Sequence, residues 1–179
     1  VDGAMPEWMG AYPVATRDEA KVYNGVDVGG VINKLYGITD TIVLSDGYYV
    51  SWTGVTIAAK NIRGNGKTSN IFSICYYDDQ DAVKLGYSTE IADRVWDYTI
   101  QGVSIYSYPR NNVVRSSALK IAATTRCVLD NVTIWNYAAR QTEWSTNEIN
   151  DIAQHCNYGL VIEGASELLT ISDFSIGGD

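Results

Sequence analysis

The stretch 137–158 gathers the side chains best suited to chemistry: Arg140, Glu143, Trp144, Glu148, Asp151 and His155. Hydrolysis of a glycosidic bond needs two carboxyl groups roughly 5–9.5 Å apart, one to protonate the leaving oxygen and one as base or nucleophile. Glu143 and Asp151 are the candidate pair. Elimination from a uronate instead needs a base and a cation that neutralises the sugar carboxylate. Arg140 with a neighbouring base fits that scheme, and the Trp144 ring is a candidate sugar contact. A structural reading competes with both. Ile149 and Ile152, behind a Ser145-x-x-Glu148 pattern, predict a short helix over 145–154 whose outer face merely solvates Glu148 and Asp151.

Two more candidates come from alternation along strands. If Val132 and Ile134 face a core, Thr133 and Trp135 face out; the same register turns Val103 and Ile105 in, and Ser104 and Tyr106 out. Tyr106 and Trp135 then lie one above the other on an outer face, suited to the C–H faces of sugar rings. Such rings serve equally to pack against a loop or a neighbouring subunit. Asp78-Asp79-Gln80-Asp81 lacks the Gly and terminal Glu of a calcium loop and reads as a solvated turn. His155 can act as acid or base, but it makes no nucleophile pair with Cys156, because adjacent strand residues face opposite sides. Cys75, Cys127 and Cys156 show no CxxC spacing and are expected as buried free thiols. With a single histidine, no metal site and no cofactor is expected. Gly64-Asn65-Gly66-Lys67-Thr68 lacks the upstream glycine of a phosphate loop.

The elements that must hold these residues are mostly short strands. The chain has 179 residues, 46% of them apolar, which is enough for one domain with a substantial core. Its 13 Lys and Arg against 21 Asp and Glu leave a formal charge of −8, which argues against a nucleic-acid partner and disfavours strongly anionic substrates. No apolar run reaches the roughly 18 residues of a membrane-spanning helix. Thirteen Tyr and five Trp against two Phe mean that most rings carry a polar handle, which suits half-wet surfaces.

One helix is predicted over 25–36, where Val28, Val31, Ile32 and Leu35 recur at spacings of three and four behind Asp27 as cap. The strands repeat. Thr99-Ile100-Gln101-Gly102-Val103-Ser104-Ile105, Val128-Leu129-Asp130-Asn131-Val132-Thr133-Ile134 and Thr170-Ile171-Ser172-Asp173-Phe174-Ser175-Ile176 align without gaps. Ala118-Leu119-Lys120-Ile121 likewise matches Gly159-Leu160-Val161-Ile162, and Asn61-Ile62-Arg63-Gly64 is an earlier echo. Units of this kind bury their apolar sides only by stacking on one another. The expected fold is therefore all-β: a right-handed parallel β-helix, or solenoid, with a short N-terminal capping helix. An extended lead-in is expected over 1–24, and coils over 25–179.

The order of motifs over 8–68 is similar to the start of pectate-lyase-like β-helices, phage tailspikes in particular. An extended Trp8-Met9-Gly10-Ala11 leads to the helix, then to Ile42-Val43-Leu44-Ser45-Asp46-Gly47-Tyr48-Tyr49, then to Ile62-Arg63-Gly64-Asn65-Gly66. The chain departs from that pattern at Tyr12-Pro13-Val14-Ala15-Thr16-Arg17-Asp18-Glu19, where the family carries a Gly-Asp-Gly…Asp-Asp-Thr stretch. The resemblance implies a receptor-binding protein of a virion tail, a homotrimer that binds and depolymerises bacterial capsule or O-antigen. Glycoside hydrolysis is the first expectation and a lyase the second. The alternatives are a secreted monomeric lyase or glycosidase, and a non-catalytic shaft. Because the chain ends at Ser175-Ile176-Gly177-Gly178-Asp179, directly after a repeat strand that should pair with another coil, it is expected to be the N-terminal piece of a longer polypeptide.

Overall fold

Short apolar runs punctuated by Gly, Asn and Asp make the chain a succession of strands that pair side by side. The computed structural model describes residues 3–35, 38–57, 61–75, 81–86, 90, 92, 94–109, 115–136, 156–164 and 166–178. Two helices, α1 (Arg17–Lys21) and α2 (Val28–Leu35), precede the strands β1 (Thr41–Val43), β2 (Gly47–Ser51), β3 (Val55–Ile57), β4 (Asn61–Arg63) and β5 (Ser69–Cys75). There follow β6 (Val83–Leu85), β7 (Val95–Trp96), β8 (Thr99–Pro109), β9 (Arg115–Ala122), β10 (Thr124–Thr125), β11 (Val128–Asn136), β12 (Cys156–Glu163) and β13 (Thr170–Gly178).

The strands form parallel sheets around a common core. The first runs β1-β4-β8-β11-β13, with β2 and β5 joining it beside β8; the second runs β3-β6-β9-β12; the third is β7-β10. A bridge from Thr125 to Glu167 extends the third sheet. From β8 onward the chain visits first, second and third sheet in that order, and does so again from β11 to β13.

The repeats seen in the sequence are the register of these sheets. Val103 pairs with Val132, and Val132 with Phe174; Leu119 pairs with Leu160; Ile62 pairs with Ile100. Columns of like residues result, such as Ile42–Ile62–Ile100–Leu129–Ile171 and Ile71–Ile105–Ile134–Ile176. The polar or small pair inside each repeat has a conformational cause. Gly102, Asn131 and Asp173 take left-handed φ of 64°, 51° and 47°. This resets the alternation, so that Ile100 and Val103, three residues apart, both lie in the core. A second column of left-handed corners, Asp97, Arg126 and Leu168, flanks the third sheet.

The helix expected over 25–36 is observed as α2, and Asp27 caps it: its Oδ1 accepts from Gly29 N at 3.1 Å. The same carboxylate accepts from Trp52 N at 3.2 Å and from the Thr53 hydroxyl, which ties the helix to the end of β2. Buried Val28, Val31, Ile32 and Leu35 pack against β2 and β3, so α2 covers one end of the core. The lead-in is not extended throughout. Pro6–Met9 is a 3-10 turn closed by left-handed Gly10, and α1 starts on a reciprocal capping box between Thr16 and Glu19. Glu7 holds the first turn in place by accepting from the buried Tyr49 hydroxyl at 2.7 Å and from Ser45 Oγ at 2.6 Å. The helix expected over 145–154 lies outside the described residues. Among those residues, no helix is long and apolar enough to cross a membrane.

Candidate functional site on the outer face of the first sheet

The parallel register places outward residues of successive strands about 4.8 Å apart, so side chains of one column meet ring on ring. Phe72, Tyr106 and Trp135 occupy one such column, through the pairs Phe72–Tyr106 and Tyr106–Trp135. The Tyr106 and Trp135 rings stack at 6.2 Å between centroids with 19° between planes; Phe72 and Tyr106 follow at 5.9 Å and 31°. The outward register derived for Tyr106 and Trp135 is thus the one observed.

The column changes character along its length. Phe72 is fully buried, because Ala20 of α1, Val14 and Tyr23 of the lead-in and Tyr48 roof it into a second apolar cluster. Tyr106 is half-buried at the margin of that cluster, and Trp135 is 39% exposed. Beyond Trp135 the column continues with Gly177, where a Cβ would stand 2.7 Å from the indole. Glycine there leaves room for the ring.

A polar column runs alongside. Ser104, Thr133 and Ser175 are in register, and Ser175 Oγ lies 3.1 Å from Thr133 Oγ1. On the far side of the left-handed bend, Asp130 accepts from Gln101 Nε2 at 2.8 Å and from Ser172 Oγ at 2.7 Å. The bond from Ser172, then that from Gln101, holds Asp130 below the usual aspartate range. Ser104 and Thr133 are buried, so the surface offers the stacked aromatic pair with the exposed Ser175 and the Asp130 carboxylate beside it, groups that can meet a sugar by its C–H face and its hydroxyls.

Glu143, Asp151, Arg140, Trp144, Glu148 and His155 lie outside the described residues, as do Asp78, Asp79 and Gln80. Asp81 is described: it accepts from Ser117 Oγ at 2.6 Å and lies 3.9 Å from Lys120 Nζ, which pairs more closely with Glu163 at 2.5 Å. Cys127 is a buried free thiol, pushed up to about 12 by burial and so no nucleophile at neutral pH. A cluster on the third sheet was not apparent from the sequence. Trp96 is half exposed, with the guanidinium carbons of Arg94 and Arg126 at 5.9 and 5.6 Å from its ring. The one available signal was register, since the step of 29 residues that aligns the repeats also pairs Trp96 with Thr125.

Comparison with models of known protein families, with curated proteins and with solved structures gave no match.

Proposed function

We propose that this chain is a right-handed parallel β-helix of a phage tailspike-type receptor-binding protein, which binds and depolymerises bacterial surface polysaccharide. The observation that carries the reading is the stacked Tyr106–Trp135 pair, with Trp135 open to solvent beside the exposed Ser175. The repeated visit to three parallel sheets in one order supports the solenoid part of the proposal. The motif order over 8–68 is what points to a tailspike, and with it to a homotrimer on a virion tail. Glycoside hydrolysis by Glu143 and Asp151, with Arg140 and Trp144 as substrate contacts, rests on the residue types and spacing of 137–158. One observation favours a non-catalytic shaft instead: the same aromatic column packs against the lead-in at Phe72, so its rings also serve as packing surface.

The test is binding and cleavage of capsule and O-antigen preparations, read by calorimetry and by new reducing ends, with unsaturated ends marking a lyase. Trp135→Ala is expected to weaken binding about fivefold, since a ring contact contributes about 1 kcal/mol. Undiminished binding by that variant would remove the proposed glycan face. Glu143→Gln and Asp151→Asn are expected to abolish cleavage while leaving binding intact. If both retain full cleavage, the catalytic pair is wrong; if the parent chain binds without cleaving, the shaft reading replaces the enzyme.

A further inference from the structure

The cluster around Trp96 lies on the third sheet, apart from the glycan face of the first. Val95 packs against the core and Trp96 lies on the outer side, 51% exposed. Thr125 pairs with Trp96 in the ladder, and Glu167 bridges to Thr125, so the three stand in one column. Arg126 turns back over the indole from its left-handed corner. Its guanidinium is already forked by Asp97, with contacts of 2.6 and 2.7 Å.

Arg94 is different. Its side chain is only 13% exposed, and its one described carboxylate contact is Glu167 at 3.2 Å, a partner that is itself 58% exposed. Two donors in this cluster, Arg94 Nε and the hydroxyl of Thr125, which is 3% exposed, are buried and have no hydrogen-bond partner among the described residues. Native structures seldom leave such donors unmet, and sites that await a ligand are one explanation. A sunken guanidinium beside an open indole has the chemistry to recognise a ring that carries a carboxylate. The indole takes the C–H face, and the guanidinium takes the acid in charge-assisted hydrogen bonds. Glu167, exposed and held by a single contact, stands where that acid would bind, and an exposed pair of this kind is weak enough to be displaced.

We propose that Trp96, Arg94 and Thr125 form a binding subsite for a pyranose bearing a carboxylate, with Glu167 as its internal competitor. The subsite reads an acidic sugar despite the net negative charge of the chain, because the cation that meets the ligand is local and sheltered. It does not depend on the glycan face around Trp135.

The experiment is calorimetric titration of the chain at low salt with oligogalacturonate, with oligomers of N-acetylneuraminate, and with neutral dextran oligomers of equal length. At least one of the two acidic oligomers is expected to bind, more tightly than dextran, and which one binds identifies the acid. Trp96→Ala and Arg94→Gln are each expected to weaken it at least tenfold. Glu167→Gln, at an exposed position that does not threaten folding, is expected to tighten binding several-fold by removing the competing charge. Failure of both acidic oligomers to bind, equal binding of dextran, or weaker binding by Glu167→Gln overturns the proposal.

Discussion

Ile105 and Ile176 belong to one column of one sheet, yet Ile105 is fully buried and Ile176 is 52% exposed. At the first end of the sheets, α2 and the lead-in lie over the strands, and every apolar side chain of β1 to β4 facing inward is closed off. At the other end, Ile162, Leu168, Ile171 and Ile176 repeat the apolar pattern with large exposure. The outer wall shows the same gradient, from roofed Phe72 to open Trp135. In stacked architectures a side chain is buried by the layers on both sides of it. Identical residues therefore contribute unequally according to the layer that follows them.

The largest expected effect tests the strictness of the bends. A Cβ at Gly102 would lie 2.4 Å from the Gly64 carbonyl oxygen, in a left-handed backbone of φ 64°. Gly102→Val combines that backbone clash with a conformation that β-branched residues avoid, and is expected to cost more than about 3 kcal/mol. Asn131 sits at the equivalent bend one layer on, already with a side chain. Asn131→Gly should therefore shift stability by less than about 1 kcal/mol. Urea unfolding of both variants checks the contrast, and equal losses would show that crowding at Gly64 is not what distinguishes the layers.

Next in size is the isoleucine column itself. Ile105→Ala removes a fully buried side chain and is expected to cost about 2–5 kcal/mol, the range for large-to-small changes in closed cores. Ile176→Ala, half open to solvent, should cost about 1 kcal/mol in the same chain. Anything that seats a further layer on β12 and β13 should raise the second value towards the first. Denaturation midpoints of the two variants, measured in parallel, give the ratio directly.

The sequence carried the stacking well because register forces like residues into columns. Val103, Val132 and Phe174 had to match for the layers to interdigitate, and so did Leu119 and Leu160. The outward pair Tyr106 and Trp135 followed from the same alternation. The two helical turns of the lead-in were harder to read. Thr16-x-x-Glu19 is a capping box, but a five-residue helix holds too few apolar positions to show a period. The Trp96 cluster was harder still. A two-residue strand has no alternation to read, and Arg126 reaches the indole only through a left-handed corner 30 residues further on. The unequal burial of Ile105 and Ile176 left no trace in residue type, since it depends on neighbours in space rather than in sequence.

The smallest effects concern the two sides of a single wall. Cys127 lies inside it and Asp130, three residues on, lies outside, and their titrations act on opposite limbs of the pH profile. Burial raises Cys127 from an ordinary 9.0 to about 12, so above pH 9 the unfolded chain releases a proton that the folded chain keeps. Its contribution is fully present below pH 9 and is lost as the pH climbs towards 12. Tyr49, raised chiefly by burial, adds a loss of the same sign at higher pH. Asp130 is lowered by Ser172 and then Gln101, so its contribution is present above its ordinary value of 3.8 and disappears as the pH falls through the lower folded value. The alkaline decline should be the steeper, because the thiol is sheltered whereas the carboxylate faces water, where screening keeps such gains small. Thermal unfolding of the parent chain, Cys127→Ala and Asp130→Asn from pH 2 to 11 separates the two. The first substitution should flatten only the alkaline limb, and the second should flatten slightly only the acid limb below pH 4. A Cys127→Ala profile that still falls as steeply above pH 9 would move the alkaline sensitivity from the inner wall to other groups.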